Sequence, residues 1–159
     1  MKFKIINYYS NKIKQNCIGF ILFKPDCPKY EISAFRLFCK QEKINIIKEK
    51  QLILDRNMII ALYPSTFNLL KNDLKFGVIW KYELIKYLTH GSVNCFLVEN
   101  KRILEILNKY KFFLRKKYKK ITNPMKKMDK MTFKNRVIKN IVHVANEKEI
   151  QSILWLIFN

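Results

Sequence analysis

Two imidazoles are the only side chains of this chain whose ordinary titration lies near neutrality, so nucleophilic or acid–base chemistry at cellular pH turns first on His90 and His143. His143 stands in NIVHVANEKE, Asn140 to Glu149. The residues ahead of it read as a strand, and the acidic run behind it reads as the start of a helix. A ring at that junction can be held rigidly at the mouth of a pocket with its lone pair free to attack an electrophile. The same residue inside a strand core would be an ordinary buried ring. His90 sits in Thr-His-Gly, a helix end, and is assigned no role. Cys17, Cys27, Cys39 and Cys95 form no C-x-x-C pair and no zinc pattern with either histidine, which points to free thiols in a reducing compartment.

The chain of 159 residues and 19.3 kDa, 49% apolar and 14% aromatic, is long enough for one domain with its own core. Residues 1–17 are expected to be an N-terminal extension and 18–159 the domain. No apolar run has the length of a membrane span, and MKFKIINYYSNKIKQN is too polar for the core of a signal peptide, so a soluble, cytoplasmic protein with no membrane partner is expected. The net charge of +20 favours anionic partners, yet 27 of the 32 basic residues are lysine amid abundant Ile, Asn, Phe and Tyr, as an A/T-rich coding sequence would give. The distribution says more than the total. From Lys101 to Lys139 there are fifteen basic residues and two acids, Glu105 and Asp129, so an anion site is expected near that segment.

The elements that must position these groups can be followed along the chain. CIGFILF, Cys17 to Phe23, is a buried strand closed by Lys24, Pro25 and Asp26, because proline cannot continue a ladder. Residues 30–41 carry apolar side chains near helical spacing, and 44–54 read as a second strand. Asp55 is a plausible N-cap for a short helix that Pro64 stops. Residues 64–79 are irregular, 80–88 form an amphipathic helix, and 92–98 form a third strand. Asn100 can cap a helix over 101–114, followed by a basic loop with a turn signal at Asn123 and Pro124. Residues 136–143 are the fourth strand and 148–158 a closing helix. This order predicts an α+β, ferredoxin-like βαββαβ sandwich, with a four-stranded antiparallel sheet, additional helices, and the helices packed on one face.

Four pieces in order resemble the nucleoside diphosphate kinases. FKPDC, Phe23 to Cys27, is similar to the family's strand-end K-P-D motif. YLTHGSVNCFLVEN, Tyr87 to Asn100, resembles its helix end, turn and third strand. Thr122-Asn123-Pro124 and then Asn140 to His143 resemble its phosphate loop and the strand that delivers the catalytic histidine. The resemblance implies that His143 is a nucleophile taking the γ-phosphate of a nucleoside triphosphate and passing it to a nucleoside diphosphate. It further implies phosphate contacts from Lys24, Thr122, Lys134 and Lys116 or its neighbour Arg115, a site-lining Tyr63, base stacking by Trp80, and a sugar contact from Asn140. Mg²⁺ would arrive on the nucleotide rather than at a metal site of the protein, and a homo-oligomer is expected.

Departures from the family pattern define the rival readings. Val144, Ala145 and Asn146 follow His143 where the family has Gly-Ser-Asp, so a hydroxyl is missing and valine stands where glycine allows close backbone approach. Leu154 falls where the family orients its histidine with a glutamate, leaving Glu147 or Glu149 as substitutes. A degenerate nucleotide-binding or interaction domain is therefore the alternative. A basic module binding nucleic acid non-specifically comes third, since the aromatic signature of a sheet-borne RNA platform is missing. Asn140 and His143 lie three residues apart and would face opposite ways on a regular strand. Their convergence requires an irregularity near Val142.

Overall fold

The computed structural model describes residues 17–64, 76–118 and 140–158, with isolated positions 9, 12, 13, 15 and 67; for 76–80 and 148 it describes the backbone alone. Four strands form one antiparallel sheet: β1 (Ile18–Phe23), β2 (Asn45–Leu52), β3 (Val93–Glu99) and β4 (Val142–Val144). Five helices accompany them: α1 (Lys29–Gln41), α2 (Arg56–Leu62), α3 (Phe76–Thr89), α4 (Ile103–Lys117) and α5 (Glu147–Ile157). The spatial order β2-β3-β1-β4 is that of the ferredoxin-like βαββαβ fold.

Every residue of β1 is buried, as its unbroken apolar run requires for a strand covered on both faces. Alternation then sorts its side chains. Ile21 and Phe23 point to α1 and α4, packing with Phe35, Phe96, Leu107 and Leu114. Phe20 and Leu22 point the other way, to Ile59, Leu88, Ile150 and Ile153 of α2, α3 and α5. The two crossover helices thus share one face, and the additional helices cover the other, which corrects the expectation of helices on one face only. Gly19 makes the first layer possible: a Cβ there would lie 2.7 Å from side-chain carbons of both Ile103 and Leu107, so its absence lets α4 settle onto the sheet.

Local signals placed most boundaries. Asp55 caps α2 by accepting the Met58 amide at 2.9 Å. α1 ends with Lys43 at φ 54°, and the amides of Ile44 and Lys43 return to the carbonyls of Cys39 and Lys40, a Schellman closure built without glycine. Three expectations shift. α3 begins four residues earlier than expected, at Phe76. Asn100 accepts the Arg102 amide in a turn rather than capping α4, which starts at Ile103. β4 is three residues long, Val142–Val144, and positions 136–139, where the fourth strand was expected to begin, lie outside the described residues.

Candidate functional site

β4 runs along the outer side of β1, with His143 opposite Leu22 and Val142 opposite Phe23. The Leu22 side chain belongs to the α2/α5 layer, so His143, its cross-strand partner, points into the same layer. There its ring lies 4.5 Å from that of Tyr63, the residue that ends α2. The chain enters β4 through a sharp irregularity. Ile141 sits at φ 56°, a strained conformation for a β-branched residue, and the Val142 amide bonds back to the Asn140 carbonyl at 2.7 Å. The irregularity is one residue before the expected position. It breaks the alternation that would separate Asn140 from His143.

The same kink is tied to the end of β1, where the Lys24 amide donates to the Ile141 carbonyl at 2.8 Å. Lys24 is 3% exposed, and its ammonium lies 5.5 Å from the centre of the Tyr63 ring and 5.9 Å from that of Tyr87. Tyr87 is held in turn by a hydrogen bond to Asp26. Arg115, from the last turn of α4, donates from Nη2 to the Val142 carbonyl at 3.0 Å. Glu149, at the third position of α5, completes the group: its Oε2 lies 3.4 Å from His143 Nε2, an electrostatic contact rather than an aligned hydrogen bond. Glu149 is fixed because it also forms a capping box with Asn146, accepting the Asn146 amide at 3.0 Å while its own amide donates to Asn146 Oδ1. One carboxylate therefore starts a helix and orients a ring.

Lys24, Tyr63, Arg115, His143 and Glu149, drawn from five parts of the chain, lie close together, and the buried Asn140 stands at the kink that leads into His143. Among the described residues, Tyr63 Oη, Arg115 Nε, Asn140 Oδ1 and His143 Nε2 are buried without a hydrogen-bond partner. Buried polar atoms left unpaired are costly, and a polar ligand or water would satisfy them. The electrostatics of the cluster define the sign of such a ligand. Burial, reinforced by Arg115, pulls the Lys24 pKa from 10.5 down to about 7, with Asp26 opposing. Burial also lowers Arg115 and, with Arg115 beside it, Lys111. His143 is held below its ordinary value by burial, against the pull of Glu149, which favours the neutral ring. Cations crowded out of water favour an anion with several acceptor oxygens.

The remaining site expectations divide. Lys116 is exposed on the outer side of α4, and its neighbour Arg115 is the one that reaches the cluster. Trp80 lies on α3, one helix removed, with only its backbone described. Thr122 and Lys134 lie outside the described residues. Of the two acids offered as substitutes, Glu149 reaches His143, while Glu147 is exposed and Leu154 packs at the edge of the core. The S/T/N-x-x-E signature at Asn146–Glu149 was the signal that could have selected Glu149 from sequence. Among the described residues no cluster of three or more His, Cys, Asp or Glu could hold a metal ion.

No family profile matches the sequence, and no curated protein sequence matches it. Solved structures do. A nucleoside diphosphate kinase from Encephalitozoon cuniculi superposes with a TM-score of 0.58 at 20% identity, covering 90% of this chain and 90% of its own. One from Borrelia burgdorferi, solved as a transition-state mimic with vanadate and ADP, gives 0.57 at 21% identity over 86% of this chain and 83% of its own. One from Pyrobaculum aerophilum gives 0.56 at 18%, over 88% and 95%. At such identities the likeness establishes the fold: this chain has the ferredoxin-like α+β fold of the nucleoside diphosphate kinases.

Proposed function

We propose that the chain is a divergent nucleoside diphosphate kinase-like phosphotransferase that works through a phosphohistidine at His143. The observation that carries this reading is the grouping of the His143 imidazole with Lys24, Tyr63 and Arg115, in which His143 Nε2, Tyr63 Oη and Arg115 Nε are buried without a hydrogen-bond partner. Because Nε2 faces Glu149, the attacking atom is Nδ1. Its lone pair forms the N–P bond to the γ-phosphorus of a nucleoside triphosphate as the bridging P–O bond breaks, and the nucleoside diphosphate leaves with those electrons. A terminal oxygen of a second nucleoside diphosphate then attacks the phosphorus and restores the imidazole. Glu149 stabilises the positive charge that develops on the ring, and Lys24 and Arg115 offset the negative charge on the transferring oxygens. Tyr63 buttresses the ring by stacking.

Magnesium fits this site as part of the nucleotide, since Glu149 is committed to the α5 cap and Asp26 to Tyr87. Carried on the phosphates, it would supply charge neutralisation there. The protein groups would position the chain of phosphates around it. A homo-oligomer is proposed, as the family resemblance of the sequence implies, and nucleic-acid binding would be non-specific and sensitive to salt.

Incubation with γ-labelled ATP tests the reading. An acid-labile, base-stable label on the protein, lost in His143→Ala, supports it; unlabelled protein, or a variant that still labels, removes it. One observation favours the catalytically silent alternative: Val144 and Ala145 are buried directly behind His143, whose side chain is 14% exposed. On that reading ATP raises the melting temperature without forming phosphoenzyme.

A further inference from the structure

The outer face of α4 points away from the cluster around His143. Ile103, Leu107, Tyr110 and Leu114 bury the inner side of the helix. On the opposite side two adjacent phenylalanines, Phe112 and Phe113, are each 59% exposed. Lys109 and Lys116 lie one turn before and one turn after them, so at helical spacing both lysines flank the rings on the same outer face. In the last turn Arg115 reaches inward to β4 and Lys117 pairs with Glu31, and the one acid of α4, Glu105, pairs with Arg102 and Lys109. Beside the helix, Phe38, Ile106, Tyr110 and Phe113, with Glu42 and the Arg102–Glu105–Lys109 group, line a shallow groove of about 520 Å³ between α1 and α4, and Leu37 and Tyr30 on α1 are 57% and 60% exposed.

We propose that this face docks on an anionic lipid surface, with Phe112 and Phe113 entering the headgroup–acyl boundary and the flanking lysines contacting lipid phosphates. Phenylalanine has no polar atom to gain from water, and Phe112 at the outer apex of the helix with Phe113 on its flank present adjoining apolar surface that gains from apolar contact. Charge complementarity selects among occupants. Lysines flanking the rings would meet the same lysines of a second copy, which disfavours self-association through this particular face. Successive helical positions point about 100° apart, so the two rings cannot offer parallel platforms to neighbouring bases of a single strand. A fluid bilayer needs no such alignment. It accepts a convex apolar apex rimmed by cations. The expectation of no membrane partner rested on span length, and no helix among the described residues is long and apolar enough to cross a bilayer. That limit bears on crossing, not on surface docking.

The test is co-sedimentation of the full chain with vesicles of phosphatidylcholine alone, or with phosphatidylserine added, across a salt series. Binding should require phosphatidylserine, weaken with salt, and fall at least about tenfold in Phe112→Ser/Phe113→Ser. Both rings are exposed, so that variant should melt as the wild type does. A second variant, Lys109→Gln/Lys116→Gln, should weaken binding and flatten its salt dependence. Binding to neutral vesicles with equal strength, undiminished binding of the phenylalanine variant, or no binding at all would overturn the proposal. So would a single-stranded oligonucleotide that binds more tightly than the vesicles and is released by the phenylalanine substitutions.

Discussion

The sheet has two edges, and they are built to opposite ends. β2 is eight residues long and largely exposed; it pairs with β3 over most of its length despite a bulge between Ile46 and Lys48, and carries Lys48, Glu49, Lys50 and Gln51 at its surface. β4 has three residues, two of them buried, and is entered through a residue at positive φ. Length and polar decoration make β2 an edge that holds register and discourages unwanted pairing. Shortness and strain make β4 an edge that aims side chains, since each of its neighbours, Lys24, Arg115 and Glu149, is anchored to it or to the residues just beside it. Unusual backbone held in place by several independent contacts is what a positioning element requires.

If that contrast is right, damage to β4 should abolish chemistry, and damage to β2 should cost only stability. The largest effect expected is from His143→Ala, which should reduce phosphoenzyme by more than about a thousandfold while the far-ultraviolet circular dichroism stays native. Next comes Ile141→Gly. Glycine relieves left-handed strain of about 1–2 kcal/mol, but deletion of a buried isoleucine side chain costs about 2–5 kcal/mol, so burial wins and the variant should lose about 1–3 kcal/mol in urea unfolding. A stabilised variant would show that the kink is strain without compensation, and the contrast between the edges would collapse.

Glu149→Gln separates two roles of one side chain. Glutamine can still close the capping box, so stability should change by less than about 0.5 kcal/mol. The amide cannot balance an imidazolium, and phosphorylation should slow by about tenfold to a hundredfold. Equal rates for the two proteins would reduce Glu149 to a cap.

How much of this was legible in the sequence depended on the range of the interactions involved. Strands β1 and β3 and helices α1, α2 and α5 follow from apolar runs, periodicity and caps, all local. The K-P-D turn placed Lys24 correctly at a strand end, and the three-residue spacing of Asn140 and His143 demanded a kink that exists at Ile141. What could not be read was the choice between neighbours. Lys116 and Arg115 are indistinguishable in a basic run until α4 is docked, when its inner side chains settle onto Gly19 and rotate Arg115, not Lys116, toward β4. Nor does sequence spacing reveal that the helices divide between two faces, because that division is made by the sheet order.

The pH response sharpens the picture of a site short of anions. Lys24 has its pKa lowered from 10.5 to about 7, so between those values the folded chain binds fewer protons than the unfolded one and the lysine's contribution to stability rises with pH. Phosphate needs the ammonium form. The rise in melting temperature given by ATP should therefore shrink as pH climbs through about 7, and Lys24→Arg, which stays charged, should flatten that dependence. The same comparison cancels the titration of ATP itself. A parallel response in the two proteins would remove Lys24 from the phosphate contact.

The smallest effect belongs to the β2 edge. The last turn of α5 contains no basic residue, yet its terminal carbonyls are not left to water: Lys50 donates to the Ile157 carbonyl at 2.8 Å and Lys48 to the Phe158 carbonyl at 3.1 Å. Two exposed lysines of the strand thus satisfy orphan acceptors and place positive charge at the negative end of the helix dipole. Lys50→Met keeps the aliphatic stem and removes the charge, so thermal unfolding should report a loss of about 0.3–1 kcal/mol, smaller at high salt. Phosphoenzyme formation should not change, because α5 is held at its other end by the Asn146–Glu149 box beside His143. Should Lys50→Met slow phosphorylation as well, α5 must transmit strain along its length, and the two edges of the sheet would be one coupled device instead of two.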